Sequence, residues 1–246
     1  MDKEENWFSD WFNTKYYHIL YQNRNDKEAE VFISNIIDFL AIEKNSLVLD
    51  AACGAGRHSR MVNNLGYSVI GMDLSAESIK TAKEFENDSL QFSVADLREF
   101  KMENKFKLIL NLFTSFGYFS RKSDNLKILE NFRNSLTTNG FLVLDFMNAF
   151  KISKELVLAE TKILNNITFE ISRKIDNGVI VKEIVFNDEK GLKREYQERV
   201  SAFELEDFKE LFSLAGFQIS HIFGNYFLDE FIKEESPRLL LVAKPI

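Results

Sequence analysis

The 246-residue chain has the length of one α/β domain with an insertion, and 45% of its residues are hydrophobic, enough to bury a substantial core. Its formal net charge of −7 repels phosphate backbones and anionic membranes, so we expect neither a nucleic acid nor a membrane as a partner. The single cysteine, Cys53, excludes an internal disulfide, and the acidic N-terminus lacks the pattern of a signal peptide. These features predict a cytoplasmic protein.

An aromatic-rich stretch precedes the first regular pattern. It holds Trp7, Phe8, Trp11, Phe12, Tyr16, Tyr17 and Tyr21. Apolar residues then recur at three- and four-residue spacing over 26–41, which predicts a helix. We therefore expect an aromatic N-terminal lid segment, residues 1–25, followed by one main domain, residues 26–246.

From residue 47 the pattern alternates between strands and helices. Strand-like runs occupy 47–50, 67–71, 90–94, 107–112 and 140–146, and helical stretches near 57–65, 75–86 and 123–136 separate them. This alternation predicts an α/β fold with a doubly wound, mostly parallel sheet.

The alternation stops after residue 150. A helix near 149–159 leads into an antiparallel insert, residues 161–201, that reads as three strands with turns at Asn177-Gly178 and Lys190-Gly191. The insert alternates apolar and charged residues, so one face should be buried, either as the roof of a substrate pocket or against a second copy in a homodimer. A helix at 204–215 and strands at 217–223 and 238–244 complete the chain.

The stretch VLDAACGAGRHSR, residues 48–60, places Gly54 and Gly56 between a strand and a helix. Such a loop lets backbone N–H groups approach a ligand closely. A dinucleotide fingerprint needs a third glycine where Ser59 stands, and no phosphate-binding Gly-Lys-Ser/Thr occurs. A nicotinamide-dependent oxidoreductase is therefore only the alternative hypothesis. Asp73 and Asp96 follow at the ends of the next two strands, where ligands of doubly wound sheets bind.

In this order and spacing, VLDAACGAGRHS, VIGMDLS, VADLREF and FKLILNLFTSFGYF resemble the motifs of class I S-adenosylmethionine-dependent methyltransferases. The resemblance covers about residues 20–150. It implies a seven-stranded Rossmann-like sheet with a reversed last strand and S-adenosyl-L-methionine as cofactor, with the ribose at Asp73 and the adenine at Asp96. The implied cofactor-binding residues are Tyr21, Asp50, Ala52, Gly54, Gly56, Asp73, Leu74, Asp96, Leu97, Asn111 and Phe113.

The loop after the fourth strand should form the floor between cofactor and acceptor. Methyltransferases that modify nucleic-acid bases commonly carry Asn/Asp-Pro-Pro-aromatic there, whereas this chain has Asn-Leu-Phe-Thr from Asn111. With the acidic charge, this departure indicates a small-molecule acceptor, methylated at N ahead of O. Asn111, Phe113, Thr114 and Tyr118 are the pocket candidates, and a core role for Phe113 and Phe116 stays open.

The stretch Tyr17-His-Ile-Leu-Tyr21 resembles the Tyr-x-x-x-Tyr lid of aminosugar and glycine N-methyltransferases, with His18 where that lid often has Asp. The catalytic candidates are Tyr118 and His18, with His221 a weaker one and Tyr226 a further pocket candidate.

Asp145 and Asn148, at the end of the fifth strand, resemble the metal ligands of catechol-type methyltransferases, but Asn111 stands at the end of the fourth strand, where that group has an acidic ligand, so we expect no metal. Because methyl transfer needs no signature base, a catalytically inactive cofactor-binding scaffold is a further alternative.

Overall fold

A computed structural model describes residues 7–22 and 26–246. Residues 1–6 and 23–25 of the predicted lid segment lie outside the described residues. The helices are α1 (Trp7–Phe12), α2 (Lys15–Leu20), α3 (Asp26–Leu40), α4 (Arg57–Asn64), α5 (Ala76–Ala82), α6 (Lys122–Ser135), α7 (Ala149–Lys154) and α8 (Leu205–Leu214). The strands are β1 (Leu47–Ala51), β2 (Ser68–Asp73), β3 (Leu90–Val94), β4 (Phe106–Asn111), β5 (Leu136–Met147), β6 (Ala159–Leu164), β7 (Ile167–Asp176), β8 (Val179–Asn187), β9 (Lys193–Ser201), β10 (Phe217–Phe223) and β11 (Arg238–Pro245).

Seven strands form the main sheet in the order β10-β11-β5-β4-β1-β2-β3. β1 pairs in parallel with both β2 and β4, so Asp50 lies opposite Gly71 on one side and Leu110 on the other. β11 is antiparallel to both of its neighbours, β5 and β10. The predicted doubly wound sheet with a reversed last strand is confirmed, and the strand order reverses beside β1, where such sheets bind ligands.

Both faces of this sheet are covered because its central strands are apolar on both sides. Leu49 and Ile109 face one core, which α6 and α8 close with Phe132, Phe208 and Phe212. Val48 and Leu108 face the other core, which α3 closes with Phe32, Ile33 and Ile36. A strand buried on both faces reads as a continuous hydrophobic run, which is why β1, β4 and the second half of β5 were visible in the sequence.

The antiparallel insert has four strands, β6-β7-β8-β9, and the predicted count of three is wrong. The missed strand, β6, is an edge strand with no fully buried residue, so its sequence carries no alternation of apolar and polar positions. The predicted helix to residue 159 ends at Lys154 instead. Asn165 and Asn166, with φ of 48° and 62°, make the β6–β7 turn, a conformation that asparagine tolerates.

The N-terminal helices pack on the insert. Trp7, Phe8, Trp11 and Leu20 form one apolar cluster with Ile167, Phe169, Ile171, Ile184 and Phe186 of β7 and β8. The apolar face of the insert is thus covered by this chain's own α1 and α2.

A buried polar contact fixes the orientation of the N-terminal helices on the insert. Glu198 accepts hydrogen bonds from Trp11 Nε1 (2.7 Å) and from the Tyr21 hydroxyl (2.7 Å). Lys182 Nζ donates to the Tyr21 oxygen (2.6 Å) and lies 3.5 Å from Glu198. Burial lowers the pKa of Lys182, although the Glu198 carboxylate opposes that change. Two nearly buried opposite charges therefore hold the aromatic segment in one register on the sheet.

The Phe92 ring lies across two glycines, and this close approach fixes the packing under the glycine-rich loop. A Cβ atom at Gly71 would overlap the Phe92 ring and lie 3.0 Å from Cys53 Sγ. A Cβ atom at Gly56 would lie 2.6 Å from Phe92 Cζ.

Gly71→Ala should lower the free energy of unfolding by about 1–3 kcal/mol, the usual cost of overpacking a core. In the Gly71→Ala/Phe92→Leu double variant the loss should be smaller than the sum of the two single losses, because a smaller side chain at position 92 removes the overlap. Urea denaturation of the four proteins measures this coupling. Simple additivity would mean that Phe92 is not what excludes a side chain at position 71.

Candidate active site

The loop after β1 is bound to the end of β2 by backbone and side-chain hydrogen bonds. Cys53 N donates to Met72 O (2.9 Å), and Gly54 N donates to Asp73 Oδ2 (2.8 Å). Ala52 and Gly54 have φ of 62° and 56°, so the chain turns sharply. A Cβ atom at Gly54 would meet no atom within 4 Å, so open space lies directly beside this backbone. A ligand can therefore approach the loop to within contact distance.

Asp73 is half-buried at the same edge and accepts a second hydrogen bond from Ser75 N (2.8 Å). Burial raises the pKa of Asp73, and the N–H groups of Ser75 and Gly54 oppose that rise. Ser75 caps α5 by accepting a hydrogen bond from Ser78 N, and its hydroxyl donates to Asn13 Oδ1 (2.9 Å). The junction of α1 and α2 is thus anchored beside Asp73.

Asp50 points away from this open space. It is 1% exposed and accepts a hydrogen bond of 2.5 Å from the Ser59 hydroxyl, which joins β1 to α4. Burial raises the pKa of Asp50 to about 6, although the Ser59 hydroxyl opposes the rise. Ser59 therefore supports the loop from behind.

The raised pKa of Asp50 predicts a specific pH dependence of stability. Because the folded protein binds this proton more tightly than the unfolded chain, Asp50 favours folding most below pH 4, and this contribution is lost as the pH rises through about 6. The Asp50→Asn variant lacks this titration. Its free energy of unfolding relative to the parent should therefore rise by up to roughly 3 kcal/mol between pH 4 and pH 7.

Urea denaturation of parent and Asp50→Asn at half-unit steps of pH measures the difference. Ser59→Ala serves as the matched control, since it keeps the carboxylate of Asp50 and removes its hydrogen-bond donor. In this variant the pH range over which Asp50 loses its contribution to stability should move to higher pH. Parallel curves for parent and Asp50→Asn would show that Asp50 titrates normally.

Asp96 stands after β3, and its carboxylate is paired with Arg98. The Arg98 Nη2 atom lies 2.6 Å from Asp96 Oδ2. Burial alone would raise the pKa of Asp96, but the guanidinium and the backbone N–H of Arg98 outweigh it and hold that pKa below its usual value. Asp96 is therefore an ionised acceptor at this edge.

The loop after β4 contains two consecutive residues in the left-handed region, Phe113 (φ 59°) and Thr114 (φ 62°). Their backbone N–H groups donate to Asp145, from Phe113 N to Oδ2 (2.8 Å) and from Thr114 N to the main-chain oxygen (2.9 Å). Arg238, at the start of β11, forms an ion pair of 2.6 Å with Asp145 and donates to the Thr114 hydroxyl (3.0 Å). This buried ion pair holds a strained turn in place.

These loops and the N-terminal helices enclose a cavity of about 340 Å³. Most of the expected site residues line it, namely His18, Tyr21, Ala52, Gly54, Asp73, Leu74, Asp96, Leu97, Phe113 and Tyr118. Asp50, Gly56 and Asn111 are buried and are not among the described residues that line the cavity, so their contact with the cofactor stays a prediction. Asn111 Nδ2 donates to Ala51 O (3.0 Å).

Several cavity residues were not singled out from the sequence. They lie in the strand-end loops and include Ala95, Ser115 and Phe119, whereas the lining residues Phe8, Phe12 and Tyr17 belong to the aromatic N-terminal stretch that the sequence did single out. Arg57 and His58, at the start of α4, also line the cavity. Cys53 lines it too, and burial raises the pKa of its thiol well above the ordinary value, so it is a neutral wall residue.

Tyr226, Asn148 and His221, which the sequence also suggested, are not among the described residues that line the cavity. The Tyr226 hydroxyl donates to Asp145 Oδ2 (3.0 Å), and burial with the nearby Asp145 raises the pKa of this phenol. Asn148 caps α7, and His221 lies on β10 between the rings of Phe39 and Phe223. The pocket role of Tyr226 and the role of His221 as a base therefore stay predictions.

Within residues 7–22 and 26–246, no group of three or more His, Cys, Asp or Glu side chains is arranged to hold a metal ion. In the same part of the chain, no helix combines the length and the apolar character needed to cross a bilayer.

Comparison with known proteins identifies this arrangement. A family model described as a methyltransferase domain matches residues 48–140, the segment that carries the strand-end loops. A solved structure of an S-adenosylmethionine-dependent methyltransferase from Clostridium acetobutylicum shares the fold with a TM-score of 0.80, covering 94% of this chain and 96% of that one at 18% identity. Residues 48–140 therefore carry a methyltransferase domain, and the chain has the fold of class I, S-adenosylmethionine-dependent methyltransferases.

Two curated relatives of this methyltransferase extend the likeness. A dTDP-3-amino-3,6-dideoxy-alpha-D-glucopyranose N,N-dimethyltransferase of Streptomyces fradiae is 23% identical over 188 residues, covering 74% of this chain and 73% of the relative. A glycine/sarcosine N-methyltransferase of Aphanothece halophytica is 28% identical over 155 residues, covering 60% of this chain and 56% of the relative. Both act on amines, as their names state.

Proposed function

We propose that this methyltransferase transfers a methyl group from S-adenosyl-L-methionine to the nitrogen of a small-molecule amine held in the cavity. The observation that carries the proposal is the cavity of about 340 Å³, which is lined by the glycine-rich loop, by Asp73 and by aromatic residues of the N-terminal helices. A volume of this size falls within the range of pockets that bind small molecules.

The cavity residues fit the cofactor by their chemistry. The open space beside Gly54 suits the methionine portion, the Asp73 carboxylate suits the two ribose hydroxyls, and Asp96 with Leu97 suits the adenine. Ser59, which takes the place of the third glycine of a dinucleotide fingerprint, is buried on Asp50. This contact gives the loop a different support and disfavours the nicotinamide alternative.

The acceptor side is aromatic. Phe8, Phe12, Tyr17 and Tyr118 line the cavity opposite the glycine-rich loop, and the rings of Trp7 and Phe12 pack on Tyr118 at centroid distances of 5.4 and 5.5 Å. Aromatic faces attract sulfonium and ammonium groups and exclude water. We propose that residues 7–22 are the lid, and that an amine acceptor enters as its neutral form beneath it.

When bound, S-adenosyl-L-methionine supplies an electrophilic methyl group on a positively charged sulfur. The protein must then place the amine lone pair in line with that carbon and take up the proton that the product nitrogen releases. Tyr118 and His18 line the cavity and are the groups proposed to orient the amine and to receive its proton. The alternative of an inactive scaffold predicts cofactor binding without methyl transfer.

The first test is calorimetric titration of the protein with S-adenosyl-L-methionine, S-adenosylhomocysteine and NAD. Binding of both sulfur nucleotides without NAD supports the proposal, and a radiolabelled-methyl screen against aminosugars, glycine and phenols then identifies the acceptor class. Binding of NAD alone would overturn it.

Asp73→Ala should weaken binding of S-adenosylhomocysteine by roughly 1–3 kcal/mol, since the ribose hydroxyls and the Gly54 N–H lose their acceptor. Asp88→Ala is the matched control, because Asp88 is an exposed aspartate in the turn before β3. Calorimetry compares the three proteins. Unchanged affinity in Asp73→Ala would refute the ribose assignment.

Tyr118→Phe keeps the ring contacts with Trp7 and Phe12 and removes the hydroxyl. We expect the affinity for S-adenosylhomocysteine to stay within about twofold while kcat falls by about tenfold or more, the low end for loss of a proton-transfer or orienting group. Tyr196→Phe, in the aromatic cluster of β9 outside the cavity lining, is the control. Equal turnover of Tyr118→Phe and the parent would exclude the hydroxyl from catalysis.

A further inference from the structure

Arg98 surrounds the Asp96 carboxylate with donors. Its backbone N–H and Nε–H donate to Oδ1 at 2.8 and 3.0 Å, and its Nη2–H donates to Oδ2 at 2.6 Å. A carboxylate has about four acceptor sites, so three donors fix the plane of the group and leave capacity for a ligand. Asp96 lines the cavity, and its side chain is 19% exposed.

The rest of the guanidinium is bound on the side away from Asp96. Its carbon lies 4.3 Å from the centre of the Phe119 ring, and Nη1 lies 3.6 Å from Asp124 on α6. Phe119 lines the cavity and is itself fixed, because its main-chain oxygen accepts from Asn125 Nδ2 (2.9 Å). Arg98 therefore bridges two cavity residues from two different loops and cannot easily turn away.

The main chain beside Asp96 is equally constrained. Asn131 Nδ2 on α6 donates to Leu97 O (3.0 Å), and Asp96 O accepts from Glu99 N and Phe100 N at 2.9 and 3.1 Å. Neither the peptide nor the carboxylate can rotate to suit a different ligand without breaking several of these bonds. A site with this rigidity discriminates between donor and acceptor groups.

We propose that Arg98 sets the purine selectivity of this site: by fixing the Asp96 carboxylate as an acceptor, it admits a purine with a 6-amino donor and rejects one with a 6-oxo group. The inference rests on the proposed binding of the adenosyl cofactor. A 6-amino group donates to the carboxylate, whereas a 6-oxo group would place a second acceptor against it and leave both unpaired. Arg98 is a positioning residue here, because it acts through Asp96.

The experiment compares S-adenosylhomocysteine with S-inosylhomocysteine by calorimetry at pH 7.5. The parent should bind the adenosyl compound at least about tenfold more tightly, the scale of one unmatched buried polar group. Arg98→Met keeps an apolar stem over Phe119 and removes the hydrogen-bond donors. In this variant the preference for S-adenosylhomocysteine over S-inosylhomocysteine should fall to about twofold or less. Arg98→Lys keeps the charge without the two-pronged geometry and should give an intermediate ratio.

Arg60→Met is the matched control, because the Arg60 guanidinium also lies over an aromatic ring, that of Phe85 at 3.8 Å, and Arg60 is not a cavity residue. Its selectivity ratio should equal that of the parent. Thermal unfolding of every variant separates folding defects from binding defects, and Arg98→Lys decides the question if Arg98→Met does not fold.

If Arg98 has a purely structural role, its substitution should weaken the binding of both compounds by the same factor. An unchanged ratio of the two affinities in Arg98→Lys and Arg98→Met would therefore overturn the inference. A parent protein that binds both compounds equally would overturn it as well, while leaving the proposed methyltransferase function intact. A parent that binds neither compound would instead refute the proposed function itself.

Discussion

The site depends on the parallel pairing of β1 with both of its neighbours. Because Asp50 lies opposite Gly71 and Leu110, the strands β2, β1 and β4 reach the same edge of the sheet together. Parallel strands that end together deliver their following loops to one place, and the reversal of strand order beside β1 opens a crevice between those loops. For this reason three features that are far apart in the sequence lie next to one another, namely the glycine-rich loop, Asp73 and the Phe113-Thr114 turn.

Elements outside the parallel sheet cover part of this crevice and turn it into a cavity. The insert presents an apolar face, α1 and α2 cover it, and the opposite side of those helices faces the strand ends. The Ser75 hydroxyl lies 2.9 Å from Asn13 Oδ1 and 3.2 Å from Phe12 O, and so links the junction of α1 and α2 to the loop of Asp73. The main sheet thus supplies the strand-end loops of the site, and the insert supports the helices that cover them. The aromatic helices α1 and α2 contact both parts.

Much of this arrangement was predictable from the sequence. Buried parallel strands are continuous apolar runs, and glycines or aspartates at their ends identify the ligand edge, so the positions of Gly54, Asp73 and Asp96 followed from pattern and resemblance. The features that could not be predicted depend on tertiary contacts. Asp50 is buried against Ser59, and β6 is a strand only because it pairs with β7. Arg98 was not singled out from the sequence, because the position of its guanidinium depends on its contacts with Asp96, Phe119 and Asp124.

The bond between Trp11 and Glu198 joins residues 187 positions apart in the chain. Helices of six residues are too short to be stable alone, so α1 and α2 gain their structure only when β8 and β9 have formed. The strands of the insert pair through short hairpins and can form from local contacts, whereas the contact of α1 with β9 needs the chain between them to be in place. The cover that α1 and α2 place over the strand-end loops therefore depends on the insert, and loss of the insert's strand pairing would leave those loops exposed to solvent.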